Sequence, residues 1–364
     1  MRVWNMRKFE SLLSFVALTS ILAVPSLAAG PYKVEKLGAL RGGSSFGTAL
    51  NSAGQVVGWS GFRDGGEVAA ILWSQGSGLK TLPSIPGSDS SVAFGINQSG
   101  VVVGRFNGPT STRAFLWTSN SGIQDLGTIR GDTASAAADI NDRGEVVGFS
   151  TGSHGMHAFL WSKSEGMRAL SNTPGEAGSE ARSINNPGAV VGVSKGNSGN
   201  VAFLWTSRDG LTSLGTLPGD NTSTATRIDD SGVVVGSSTG QGGTRAVLWT
   251  KEHEIQNLGT LQSGDYSAAF GVNTSGEVVG TSNTSLGSRA FLWTRQTGMV
   301  DLNTLIPTDS NIVLTSAQAI NQHGQIIAVG GGHHDLTSDR MMDMDDEQHA
   351  GPVYLFLLTP SGIN

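Results

Sequence analysis

Three of the chain's seven histidines, three of its eight methionines and six acids fall within residues 331–350. They read His333-His334-Asp335, then Asp339, Met341-Met342-Asp343-Met344-Asp345-Asp346-Glu347 and His349, with Arg340 the one base among them. Imidazole and carboxylate groups suit zinc and other divalent ions, and methionine sulfur widens the choice to copper. The candidate ligand set is His333, His334, Asp343, Asp345 and His349, and a divalent metal ion is the one cofactor to which the sequence points. A solvated acidic loop accounts for the same composition, and the lack of a fixed ligand spacing weighs toward that plainer account.

Other residues with chemical potential sit inside repeated words. Gly131-Asp132, Gly219-Asp220 and Gly264-Asp265 could ring one rim with carboxylates, although a side chain folding back on its own turn explains such words equally simply. Arg130-Gly131-Asp132 is one variant of that word rather than an adhesion signal. Arg113, Arg245 and Arg289 each precede an Ala-Phe or Ala-Val pair, where capping a strand end competes with binding an anion. His154 and His157 frame one short loop with no evident acid and nucleophile, so a Ser-His-Asp arrangement is not indicated. No catalytic residue can be assigned.

The elements that position these residues follow from a repeat. Trp73, Trp117, Trp161, Trp205, Trp249 and Trp293 are spaced 44 residues apart. Around each recur an Asn/Asp-x-x-Gly turn, a Gly-x-Val-Val-Gly strand, an Ala-Phe-Leu-Trp strand and a Leu-Gly-Thr-Leu word. Asn at the first turn position and Gly in a left-handed conformation at the last predict a tight hairpin between a unit's first two strands. Phe115 and Trp117 alternate with Ala114 and Leu116, so both faces of the third strand are apolar and large packs on small between units.

The first three strands occur seven times if Tyr354-Leu355-Phe356 is the last Ala-Phe-Leu-Trp copy. The fourth word follows six of them, and a seventh, Leu37-Gly38-Ala39-Leu40, stands alone near the N-terminus. The expectation is an all-β chain: a seven-bladed β-propeller of four-stranded antiparallel blades, its ring closed by the strand at 37–40 pairing with 354–358. Tight turns then occupy one rim and the longer connections the other. The single large insertion, 331–350, projects from the loop-bearing rim.

Residues 1–28 carry Arg2, Arg7 and Lys8, then an apolar run, Pro25 and small residues, the pattern of a cleaved secretory signal peptide. Residues 29–364 form the single propeller domain, secreted or periplasmic, with no membrane span once the signal is removed. That segment holds 20 basic and 28 acidic residues, a formal charge of −8. An acidic chain without a basic stripe excludes nucleic acid as a partner. The chain has no cysteine, so its core must hold it without disulfides. Nothing in the pattern calls for a second copy, and a monomer is expected.

The combination of Ile-Asn-x-x-Gly-x-Val-Val-Gly, Ala-Phe-Leu-Trp and Leu-Gly-Thr-Leu resembles the HAF-type bacterial extracellular repeats, named for a His-Ala-Phe triplet. That triplet stands here at His157-Ala158-Phe159, with Arg replacing His at Arg113, Arg245 and Arg289. The resemblance covers essentially all of 29–364 and implies an exported bacterial repeat protein, without implying a mechanism. The function expected is a non-enzymatic binding or interaction propeller for a glycan, a protein or a small ligand. The alternative is a metal-assisted lyase or hydrolase acting on an exported substrate at the loop rim.

Overall fold

Each unit folds as its words direct, and the second one illustrates the rest. Its strands are Ser90–Ile96, Val102–Asn107, Thr112–Thr118 and Gly122–Gly127, each antiparallel to the next. The computed structural model describes residues 31–61, 68–153, 155–170, 176–196, 199–332 and 353–362. The signal segment 1–28 and all five candidate metal ligands in 331–350 lie outside the described residues. Among the described residues no helix is long and apolar enough to cross a membrane.

The protein is all-β, built from four-stranded antiparallel sheets. Five sheets have four strands. A sixth has eight, which are two such meanders joined by one parallel bridge, Met156 to Gly178. The Asn/Asp-x-x-Gly turns close as predicted: the amide of Gly100 donates to the Asn97 carbonyl at 3.0 Å, and Gly100 has φ of +75°. Asn97 Oδ1 accepts from the amides of Ser99 and Val101, which holds the turn from inside.

The core lies between units. Phe115 is fully buried against Val57 and Ala70 of the preceding unit, and Phe159, Phe203 and Phe291 repeat the arrangement. Large side chains therefore fill the room left by alanine, which makes each sheet a wall of its neighbour's core. Trp205 is 6% exposed in such a cluster, while Trp249 is fully buried and its Nε1 donates to the Leu214 carbonyl at 2.8 Å. One cluster joins Ile71 and Trp73 to Ile327, Leu355 and Leu357, bringing the first and last units together.

The last sheet corrects the predicted pairing. Its fourth strand is Tyr32–Lys36, not 37–40, and it runs antiparallel to Tyr354–Pro360, with Val34 opposite Leu358. Leu37 adds one further bond, its amide donating to the Leu355 carbonyl. Gly38 then turns the backbone out of the sheet with φ of +85°, and Leu40–Gly42 form a short 3-10 turn. The same correction applies throughout: the Leu-Gly-Thr-Leu word ends the fourth strand rather than forming it. Its first leucine (Leu126, Leu214, Leu258) is buried, and the glycine after it has positive φ.

Candidate functional site

The first strand of every unit carries an irregularity in register just before its asparagine, such as that between Ala137 and Asp139. A bulge of this kind re-aims a side chain. Six of the seven residues so aimed, all but Gly95, line one cavity of about 150 Å³ at the end of the strands where the tight turns lie. That is room for several ordered waters among its polar groups.

Four of the seven aimed residues are small: Ala49, Gly95, Gly271 and Ala319. Close approach of the strands demands this, since a Cβ on Gly95 would meet Asp139 Cα at 3.0 Å and one on Gly271 would meet Ala319 Cα at 3.0 Å. The other three, in consecutive units, are Asp139, Ser183 and Arg227. Asp139 Oδ2 accepts from Ser183 Oγ at 2.8 Å, Arg227 Nη1 at 3.0 Å and the Ile184 amide at 3.2 Å. Its Oδ1 accepts from the Ile140 amide at 3.0 Å. The carboxylate is thus engaged on both oxygens, and its partner charge is spent on it. Such a group is a good structural tie between neighbouring sheets.

Below this layer the turn asparagines form a chain of bonds. Nδ2 of Asn51 donates to the Asn97 carbonyl, Asn97 to Asn141, Asn141 to Asn185 and Asn185 to Asp229, at 2.9–3.2 Å. Asn273 donates to Asn321, and Asn321 returns to the Asn51 carbonyl at 3.0 Å. Asp229 interrupts the series because a carboxylate has no N–H to give. Its Oδ1 still accepts from the Ser231 and Val233 amides, but Oδ2 is buried with no hydrogen-bond partner among the described residues. An outer series of the same kind includes Asp142, Asn186 and Asp230, where Asn186 Nδ2 bridges the two carboxylates at 2.9 and 3.0 Å.

The sequence-level candidates on the opposite rim are mostly tied down. Asp220 accepts from Ser238 Oγ at 2.6 Å, and Asp265 accepts from Asn283 Nδ2. Arg113 bonds Ser111 Oγ at 3.1 Å, while Arg245 and Arg289 donate to the carbonyls of Thr244 and Ser288, so each arginine caps its own strand end. His157 Nδ1 stands 3.6 Å from Asp132 Oδ2, a charge pair when the imidazole is protonated. The hydroxyl opposite it, Ser150 Oγ, is already engaged, donating to the Ala134 carbonyl and accepting from the Ile129 amide. Among the described residues no group of three or more His, Asp or Glu gathers to hold a metal.

Sequence reasoning missed Asp139, Ser183 and Arg227. The signal existed: aligning the seven units on their turn asparagine sets these three against alanine and glycine in the same column.

No family model matches the chain, and no curated protein matches it by sequence. By structure it is similar to a streptogramin B lyase, with a TM-score of 0.51 and 12% identity over 90% of this chain and 97% of that one. It is similar to a prolyl endopeptidase with a TM-score of 0.55 and 10% identity, over 81% of this chain and 47% of the endopeptidase. The β-propeller domain of the Trilobed protease from Pyrococcus furiosus aligns at 12% identity and a TM-score of 0.49, over 72% of this chain and 83% of that one. At such identities likeness establishes the fold alone, and that fold is β-propeller-like.

Proposed function

We propose that the seven four-stranded units close into a seven-bladed propeller that acts as a non-enzymatic binding protein. Three features support the ring: the Tyr32–Lys36 strand completing the last sheet, the bond from Asn321 to Asn51, and the apolar cluster shared by the first and last units. Export and membership of the HAF-type repeats rest on the signal-like segment 1–28 and on the repeated words.

One observation favours binding over catalysis. Asp139 and Arg227, the non-repeating acid and base that meet in the channel, neutralise each other, and Asp139 has no oxygen left unbonded. A general base is placed to take a proton from substrate, whereas four donors, one of them the counter-charge of Arg227, already surround this carboxylate. The ligand classes proposed are a glycan, a protein or a small molecule, taken on the loop-bearing rim. The metal-assisted lyase or hydrolase reading depends on 331–350, whose five candidate ligands lie outside the described residues.

The test is an unbiased glycan and small-molecule binding screen on the 29–364 protein, with product analysis of every ligand that binds. Saturable binding with each ligand recovered unchanged is expected. Turnover of a bound ligand overturns the reading.

A further inference from the structure

At the loop-rim end of the first two units lies a groove of about 360 Å³, lined by Trp59, Phe94, Arg105, Ser90 and Asn107 among others. That volume falls at the small end of the range for ligand sites and suits a ring-sized group. Trp59 and Val68 belong to the first unit and the other lining residues to the second, so the groove exists only where the two sheets meet.

The repeat does not require these side chains. Trp59 and Arg105 follow the Val-Val-Gly word, where other units have Phe149, Val193, Ser237, Thr281 or Val329. Their chemistry is unusual as well as their identity. Phe46 stacks behind Trp59 with ring centroids 5.0 Å apart and planes 10° from parallel, which fixes the indole as a wall. The Arg105 guanidinium lies 6.0 Å from the centre of the Phe94 ring, at cation–π distance. Arg105 makes no ion pair or side-chain hydrogen bond among the described residues. Arg227, by contrast, is committed to Asp139. At the edge, Asn107 Nδ2 donates to Ser90 Oγ at 2.9 Å and Asn107 Oδ1 accepts from Thr112, so hydroxyl and amide groups border the aromatic wall.

We infer that this groove binds an acidic sugar, a pyranose bearing a carboxylate such as a uronate residue of a glycan. The indole and phenyl faces pack against the C–H face of the ring, and the guanidinium donates to the carboxylate. Two parallel N–H donors match the two oxygens of a carboxylate, a fit that a phenol or a neutral hydroxyl cannot reproduce. The Ser90 and Asn107 border favours a hydroxyl-rich ligand over a bare aromatic acid. The inference rests on the binding reading above and specifies its ligand.

The test is calorimetric titration of trigalacturonate, its neutral methyl ester and phenylacetate into the 29–364 protein and into its Arg105→Gln and Trp59→Leu variants. Thermal unfolding checks that each variant is folded. Trigalacturonate is expected to bind, the ester to bind weakly, and Arg105→Gln to lower affinity about tenfold or more, the loss typical of one charge-assisted hydrogen bond. Trp59→Leu should weaken acid and ester alike. Binding of trigalacturonate unchanged by both variants overturns the groove while leaving a binding protein in place. Arg105-dependent binding of phenylacetate without trigalacturonate overturns the sugar assignment. Binding of none of the three also overturns it, and the wider screen then decides the binding reading separately.

Discussion

The two ends of the strands treat arginine in opposite ways. At the turn end, Arg227 is drawn into a cluster with Asp139 and Ser183 that links three consecutive units. At the loop end, Arg105 lies over an aromatic ring beside a braced tryptophan, with its N–H groups free of any described partner. The first arrangement spends its polar groups on holding neighbouring sheets together. The second leaves them for something else. A departure from the repeat is therefore not by itself a functional site, and what separates the two is whether the departing residue already has its partner.

Tryptophan separates the two regions by the largest energy. Trp205 is a repeated residue packed between two sheets, and Trp205→Ala should cost about 3–5 kcal/mol through the cavity it leaves. Trp59 is half-buried and outside the repeated word, and Trp59→Ala should cost nearer ~1 kcal/mol. Urea unfolding of the two variants measures both. Equal losses would mean that Trp59 is as structural as Trp205.

Breaking the channel cluster comes next. Arg227→Met leaves a mostly buried carboxylate without its counter-charge, and a loss of up to about 3–5 kcal/mol is expected. Adding Asp139→Ala should recover part of that loss, because the cost lies in the stranded charge. Arg105→Gln, with no partner to strand, should shift stability by no more than about 0.5 kcal/mol. If the double variant were no better than Arg227→Met alone, the cluster would be more than an ion-pair tie.

A smaller, opposite effect is expected at Asp229. Asn at this position supplies the donor that the series of turn asparagines lacks, facing the Asn273 carbonyl as Asn185 faces that of Asp229. Asp229→Asn should stabilise the protein by about 1 kcal/mol, the net worth of one hydrogen bond gained. A loss of stability would show that the carboxylate is held there for another purpose.

The least effect near neutral pH belongs to the strand Tyr32–Lys36. Tyr32 is buried, and burial, then the charge of Glu277, pushes its phenol from 10.0 up to about 12. A raised folded-state value means that the stabilisation is complete below about pH 10 and is lost as the pH rises through about 12. Tyr32→Phe should behave like the parent at pH 7 and outlast it in alkali, followed by circular dichroism. If both unfold at the same alkaline pH, Tyr32 does not titrate in the fold as its burial demands.

The frame was legible in the sequence because it is repeated: the tryptophan spacing, the Asn-x-x-Gly turns and the Ala-Phe packing each appear several times. The place of the last sheet's fourth strand was not, because Leu37-Gly38-Ala39-Leu40 looks like a strand until Gly38 takes a positive φ and turns the backbone away. The channel cluster needs the bulge that aims position 139, which no single unit announces. The groove needs two units at once, since Trp59 and Arg105 lie in neighbouring sheets. Periodicity reveals what every unit shares and is silent on where different units meet.

Binding is proposed for the loop-end groove and a structural role for the turn-end cavity. Calorimetric titration of trigalacturonate into Arg105→Gln and Asp229→Asn proteins, side by side with the parent, tests this division most directly. Parent-like affinity is expected for Asp229→Asn and a loss of about tenfold or more for Arg105→Gln. Full affinity in Arg105→Gln together with lost affinity in Asp229→Asn would place the ligand in the channel and contradict it.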